Sequence, residues 1–138
     1  MNKKNEELYL KHKSHEINAL KGELSKIEKE IDELTEKIAE NEKLYKEREK
    51  ENFSDPMALL AKDLFLSALL KENERFSKEI ERLNQKLNMI KEILSTSLGE
   101  KRAFETYIEK KEKIENIKEN EKEAEIANEI FVRKHYHG

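Results

Sequence analysis

The sequence predicts an all-α protein that folds as a long antiparallel two-helix coiled coil, a helical hairpin, with an overhanging C-terminal helix. Two observations lead to this prediction: the composition is too polar for a thick core, and apolar residues recur at heptad spacing in both halves of the chain. Charged residues make up 43% of the 138 residues and hydrophobic residues only 36%, with a single proline. A disordered polyampholyte is the weaker interpretation, because a random polar sequence does not keep a heptad over several repeats.

The first predicted helix extends from about residue 3 to residue 51. Its apolar residues step alternately by three and four positions, which keeps one side of the helix facing a partner helix. The same phase continues back to Leu10 and forward through Asn41 to Tyr45. The apolar seam consists of Ile17, Leu20, Leu24, Ile27, Ile31, Leu34 and Ile38.

A turn is predicted at about residues 52–55, where the heptad is lost and the only proline occurs. Ser54 or Asp55 can cap the next helix, and Pro56 suits its first position because that N–H would have no helical partner. The second helix is predicted over about residues 56–134. The chain is then one coiled-coil domain, residues 1–138.

The second helix carries a seam of its own, which predicts the register of the hairpin. Asn41 and Asn73 fall opposite each other when the two seams are aligned antiparallel, and the same alignment pairs Leu10 with Phe104. A paired asparagine in an apolar seam specifies register at some cost in stability. Gly99 is expected to be a soft spot in this helix and not its end. The apolar seam consists of Phe76, Ile80, Leu83, Leu87, Ile90 and Leu94.

The segment after the turn, residues 57–70, is richer in apolar residues than one seam requires. One neighbouring helix covers only one stripe of a helix surface. Three residues are expected to face the first helix: Leu59, Leu66 and Leu69. Those left over are Leu60, Leu64 and Phe65. A tip that buries this surplus on itself, a homodimer contact and a docking patch for another protein all explain it.

The C-terminal end of the second helix has no partner in the predicted register. Residues 113–138 would span about 39 Å as a helix at 1.5 Å per residue. Their apolar positions also leave the earlier frame, running from Tyr107, Ile114 and Ile117 to Phe131. A bare helix this polar is marginal in water, so either a frayed charged tail or a helix that packs against a partner is expected.

The composition argues against several kinds of function. The net charge is −3 and cysteine is absent, which disfavours a nucleic-acid binder, a disulfide scaffold and a thiolate metal site. His12 and His15 have no third ligand at suitable spacing, so no metal and no cofactor is expected. No catalytic constellation and no glycine-rich phosphate loop occurs, and neither an enzyme nor a small-molecule substrate is expected. The charged N-terminus does not resemble a secretory signal, which favours the cytoplasm.

Three segments resemble the FliJ family of flagellar export proteins and its injectisome counterparts of the YscO type. Asp63–Leu69 is similar to the F-L-x-x-L element of that family, and Gly99–Lys111 to its K-A-L-E-K-L-x-E-K segment. Glu121–Glu129, followed by Arg133 and Tyr136, resembles the E-Q-K-E-L-D-E-x-A segment and the basic-aromatic end after it. The resemblance covers nearly the whole chain.

The resemblance implies a soluble component of the type III export apparatus, cytoplasmic and peripherally associated with the inner-membrane machinery. Such proteins act as a central stalk in the ring-forming export ATPase, promote its assembly, engage the transmembrane export-gate protein and escort export chaperones. The implied gate-facing residues are Leu60, Leu64, Phe65 and Leu69. The implied ATPase-facing residues are Ile117, Ala124, Ala127, Phe131 and Arg133.

Two alternatives remain open at the level of sequence. One is the equivalent stalk of a virulence injectisome, which shares the same pattern. The other is a generic structural coiled coil that self-associates and buries both the tip and the C-terminal overhang in an oligomer. A prefoldin-like holdase is disfavoured, because it requires strand pairs between its helices and no alternating β-branched segment occurs.

Overall fold

The computed structural model of the protein describes residues 2–137, with side chains as far as Lys134. Two α-helices account for nearly all of them: α1, Lys3–Glu49, and α2, Pro56–His137. The helices pack against each other, and the residues described contain no β-strand. The predicted all-α helical hairpin is therefore confirmed.

Contacts along the chain divide it into two compact units. One unit is Glu16–Ser95, which contains the turn between the helices. The other combines the chain up to His15 with the chain from Thr96 onward. Each unit contains a segment of α1 and a segment of α2, and each is held by its own contacts.

Both helices begin with a side-chain cap. The Oδ1 atom of Asn2 accepts a hydrogen bond from the Asn5 N–H at 2.8 Å, and the Oδ1 atom of Asp55 accepts one from the Met57 N–H at 3.1 Å. Pro56 occupies the first position of α2, where its missing N–H costs nothing. Of the two residues that the sequence offers as a cap for α2, the structure uses Asp55.

The helix ends differ slightly from the prediction. α1 stops at Glu49 and not at residue 51, because Glu51 N–H bonds to the Arg48 carbonyl at 3.1 Å and tightens the last turn. The Nζ atom of Lys62 then donates to the carbonyls of Glu49 and Glu51 at 2.8 and 2.6 Å. This lysine of α2 occupies acceptors that another helical turn would have used. α2 continues past residue 134 to His137, since no proline or glycine interrupts it earlier in that stretch.

The unit Glu16–Ser95 has a core one stripe wide. The side chains of its main cluster all belong to the seams predicted from the heptads, and burying each contributes about 1.5–3 kcal/mol. The buried members of that cluster are Ile27, Leu83, Leu87 and Ile90. Packed around them, and partly buried, are Leu20, Leu24, Ile31 and Leu34. Ile17, Leu66 and Leu69 are buried elsewhere in the same unit. Outside the seam, α1 exposes no large apolar side chain in this unit, whereas α2 exposes several, Leu64 and Met89 among them.

The same unit contains the asparagine pair that the register predicts. The Nδ2 atom of Asn41 donates to Oδ1 of Asn73 at 2.9 Å and to Oε1 of Glu72 at 3.3 Å. The Nδ2 atom of Asn73 donates to the Ile38 carbonyl at 3.4 Å. A shift of one heptad would place Asn73 against Leu34 and leave its amide without these partners, so the pair favours one register.

In the other unit, aromatic and charged side chains join the helices. The ring centroids of Tyr9 and Phe104 lie 4.3 Å apart. Leu10, which the predicted register places opposite Phe104, is only partly buried. Lys13 forms an ion pair with Glu100. The predicted register therefore brings the correct segments together, and the neighbouring tyrosine makes the ring contact.

A buried carboxylate in this unit escaped the sequence analysis. Glu6 is only 5% exposed, and its Oε1 atom lies 2.7 Å from Nζ of Lys111. The hydrogen bond to Glu6, helped by the charge of that carboxylate, raises the pKa of Lys111. Both residues continue the seam phase of Leu10 and Ile108, but a search for apolar residues passes over a charged pair at seam positions.

α2 passes through Gly99 without a break, and a methyl group there would meet no atom within 4 Å. Gly99→Ala is therefore expected to stabilise the protein by about 0.5–1 kcal/mol, because alanine loses less backbone entropy in a helix. Thermal and urea unfolding followed by circular dichroism measure the change. A lower melting temperature would mean that the helix requires the glycine at this point.

Lys111→Met is expected to lower the melting temperature at neutral pH, because Glu6 stays buried without its ammonium partner. The folded-state pKa of Lys111 is raised, so its stabilisation is complete below its unfolded-state pKa and is lost as the pH rises through the folded-state pKa. The difference in melting temperature between variant and wild type should thus narrow in strongly alkaline buffer.

The matched control for this pair is the double variant Glu6→Leu with Lys111→Leu. Replacing both partners removes the uncompensated charge, so its melting temperature should lie above that of Lys111→Met. An equal loss for Lys111→Met at neutral and alkaline pH would contradict an electrostatic role for Lys111.

Candidate protein-interaction surfaces

Two surfaces of α2 carry the residues predicted to bind partners, one in each unit. The first lies at the start of α2, where Leu60, Leu64 and Phe65 are all exposed, as expected of residues that α1 leaves uncovered. Phe65 is the least exposed of the three, because the guanidinium carbon of Arg48 lies 5.3 Å from its ring centroid.

Leu69 does not belong to this exposed surface. It is only 8% exposed, and it lines the groove that also contains Tyr45, the residue opposite it in the predicted register. Its neighbour in the seam, Leu66, is buried too. Leu69 is expected at the partner-facing tip, but its side chain packs in the interface between the helices and not on the exposed surface.

Leu59 departs from the prediction in the opposite sense. The sequence expects it to face the first helix, yet it is exposed. The register places Leu59 opposite Asp55, which lies beyond the end of α1 at Glu49. There is no helix at that level to cover it, so the seam ends one turn later, at Lys62, whose ammonium binds the end of α1.

An open groove of about 310 Å³ lies beside the turn. Phe53, Ala58, Ala61 and Phe65 give it apolar walls, while charged residues form its rim. The charged residues are Arg48, Glu51 and Lys62. Sequence reasoning missed the contribution of Phe53, which lies in the turn and outside any heptad.

The second surface is the C-terminal part of α2, where every residue from 112 to 134 is exposed. Four of the predicted residues follow heptad spacing, with steps of seven, three and four, which places them along one stripe of the helix. They are Ile117, Ala124, Ala127 and Phe131. These four residues are called the C-terminal stripe below.

Arg133 does not share the C-terminal stripe. It lies two positions after Phe131, and residues two apart project from different sides of a helix. Further apolar side chains that the prediction omitted are exposed off the stripe as well. They are Ile126, Ile130 and Val132.

Acidic residues border the C-terminal stripe on both sides. Glu121 and Glu123 lie on opposite sides of the stripe around the helix, and the stretch 119–129 contains five glutamates against one lysine. The first surface is bordered instead by charges of both signs, because Arg48, Glu51 and Lys62 line the groove that contains Phe65. The two surfaces therefore differ in the chemistry that they offer a partner.

The part of the chain that the structure describes contains no cluster of three or more histidine, cysteine or acidic side chains that would hold a metal ion. His12 and His15 are both exposed on α1. Within the same residues, no helix is long and apolar enough to cross a bilayer. Comparison of the chain with protein-family models, curated proteins and solved structures gives no significant match.

Leu69→Ala is expected to cost about 2–5 kcal/mol of unfolding free energy, as a buried leucine does when it leaves a cavity. The matched variant Leu64→Ala should change stability by less than about 0.5 kcal/mol, because Leu64 is 63% exposed. Urea unfolding of both variants beside Leu83→Ala measures these values. If Leu69→Ala unfolds like wild type, Leu69 is not a seam residue.

Proposed function

We propose that this protein is a non-enzymatic component of the flagellar type III protein-export apparatus, where it serves as the central stalk of the export ATPase. Two findings support the proposal. One is the resemblance of three segments to the FliJ family. The other, which carries it, is the continuous exposed helix over residues 112–134 with its C-terminal stripe.

The C-terminal stripe is the kind of surface with which a helix packs against another helix. Heptad spacing keeps one side of a helix toward its neighbour, and the alanines at 124 and 127 allow close approach. A polar helix of about 35 Å gains little from its own backbone in water, so packing against a partner would stabilise it. Among the partners that the resemblance implies, a ring of ATPase subunits with a central hole accommodates such a helix.

The stalk role requires binding and no chemistry from this chain. A helix with its side chains is about 10–12 Å across, a size that fits a narrow axial channel. If the helix binds the assembled ring more tightly than it binds free subunits, mass action shifts the subunits toward the ring. ATP hydrolysis then rises because more rings are present, and the chain itself contributes no catalytic group.

The resemblance also assigns the remaining partners. The exposed residues at the start of α2, Leu60, Leu64 and Phe65, would meet the transmembrane export-gate protein, and export chaperones would be escorted by the same chain. The protein would then work in the cytoplasm, peripherally associated with the membrane machinery. The equivalent stalk of a virulence injectisome requires the same surfaces and is the nearest alternative.

A self-associating structural coiled coil is the alternative from a different class. It is favoured by the isoleucines and the valine that are exposed off the C-terminal stripe, since one helical partner would not cover them. In that case the purified chain should form a stable oligomer that persists on dilution, and the export ATPase should not respond to it. A stalk should instead stimulate the ATPase when far fewer chains than ATPase subunits are present.

Truncation after Lys113 is expected to leave the hairpin folded and to abolish binding to the export ATPase, because it removes the C-terminal stripe and keeps the Glu6–Lys111 pair. Within the full chain, Ile117→Ala should weaken binding by about tenfold, as for a central apolar contact. Binding is measured by fluorescence anisotropy at low chain concentration, and ATP hydrolysis in the same samples.

Ile126→Ala is the matched control for the stripe variant. Ile126 is 55% exposed and Ile117 57%, but Ile126 projects from the opposite side of α2. Its substitution should leave both binding and hydrolysis unchanged. Retained binding by the truncated chain would rule out the C-terminal stripe as the contact, and equal losses for the two isoleucine variants would rule out a single binding side.

A further inference from the structure

The first turns of α2 present a continuous apolar face that α1 does not cover. Six residues form it, here called the tip face, and all six are exposed. None of them is charged, and Lys71 is the next residue along the same side of the helix. The members of the tip face are Met57, Leu60, Ala61, Leu64, Phe65 and Ala68.

Large and small side chains alternate along the middle of the tip face. Met57, Ala61, Leu64 and Ala68 step by four, three and four positions, so they lie in one heptad stripe. Along this stripe each large residue is followed by an alanine. Leu60 and Phe65 widen the stripe on its two sides.

This alternation makes the tip face complementary to itself in one orientation. In an antiparallel pair of copies centred between Ala61 and Leu64, each Leu64 lies opposite the other copy's Ala61. Each Met57 likewise lies opposite the other copy's Ala68. Within this stripe every large side chain then meets a small one, which is how helices interdigitate without voids or clashes. On its sides, Leu60 of one copy lies at the level of the other copy's Phe65.

A parallel pair lacks this complementarity. In register it would place Leu64 on Leu64 and Ala61 on Ala61, so contact would be crowded at one level and open at the next. The antiparallel arrangement also has the symmetry of an isologous dimer, in which the same surface of each copy serves as both partners. The six residues themselves carry no charge, and the charged residues beside them, Arg48, Glu51 and Lys62, are of both signs.

We propose that the tip face is a homodimerisation surface, at which a second copy of this chain packs antiparallel with Leu64 against Ala61. The face spans only residues 57–68, about 18 Å of helix, which is short of the area that stable dimers bury. The dimer is therefore reversible and forms at high protein concentration. This differs from the stable oligomer expected of a structural coiled coil.

Dimerisation at this surface goes beyond the proposed export function and does not depend on it. A chain whose tip face is covered by a second copy cannot present Leu60, Leu64 and Phe65 to another protein. Self-association would thus compete with any docking at the start of α2. The C-terminal stripe does not take part, so an ATPase assay at dilute chain concentration tests the export proposal separately.

The test uses sedimentation velocity and light scattering on the full chain alone, from about 10 µM to 1 mM, the range in which small interfaces dissociate. The wild-type chain should pass from monomer to dimer across this range. Ala61→Lys and Leu64→Glu should each stay monomeric. A mixture of the two variants should associate again, because the new ammonium of one copy faces the new carboxylate of the other, and added salt should weaken that association.

Met89→Glu is the matched control for Leu64→Glu. Both residues are 63% exposed on α2, and Met89 lies outside the tip face, so its variant should dimerise as wild type does. Monomeric wild-type protein at every concentration would overturn the proposal and leave the tip face to a different partner. Association that Met89→Glu abolishes, or a variant mixture that does not associate, would overturn it as well.

Cross-linking gives a second readout, and its cysteine substitutions perturb the tip face less than a new charge does. The chain contains no cysteine, so single substitutions report one position each. Under mild oxidation, a mixture of Ala61→Cys and Leu64→Cys chains should form disulfide dimers faster than either variant alone, since the two positions face each other across the dimer. Equal rates for all three samples would contradict this antiparallel pairing.

Discussion

The hydrogen-bonded pair Asn41–Asn73 is the constraint on which the hairpin unit Glu16–Ser95 depends. Heptad seams are repetitive, so sliding one helix by seven residues again brings apolar residues opposite apolar residues. The two amides remove this ambiguity, because only one register gives them each other together with the Ile38 carbonyl and Glu72. That register determines which residues of α2 lie opposite the end of α1. It therefore also determines which residues of α2 are left exposed in this unit.

Some apolar residues of this chain lie outside the core, and their positions indicate which kind of partner each exposed surface would bind. The seam of the unit Glu16–Ser95 buries one stripe of each helix. The tip face is bordered by charges of both signs, from Arg48, Glu51 and Lys62, whereas the C-terminal stripe is bordered by Glu121 and Glu123. A self-complementary face with a mixed border suits a second copy of the chain. A stripe between carboxylates suits a different partner, one whose own helix carries basic residues beside its apolar contacts.

In the other unit, the charged pair Glu6–Lys111 favours one alignment of the helical segments, as the asparagine pair does in the hairpin unit. It occupies seam positions, and its close contact satisfies a carboxylate that would be costly to bury alone. Pairs of this type contribute less to stability than apolar residues of the same volume. They do, however, disfavour alternative alignments of the helices in which the two partners are separated. Polar pairs thus occur in the seams of both units, and each favours a particular alignment of the chain segments that it joins.

The sequence by itself determined the helical class, the turn at the single proline, both seams and the asparagine register. Heptad spacing, caps and a matched pair of amides are local or pairwise properties that can be identified in a linear sequence. Only the tertiary structure decided that Leu69 is buried, that Leu59 is exposed and that Glu6 reaches Lys111. These outcomes depend on where α1 stops beside α2 and on how far long side chains reach across the interface, and spacing along one chain specifies neither.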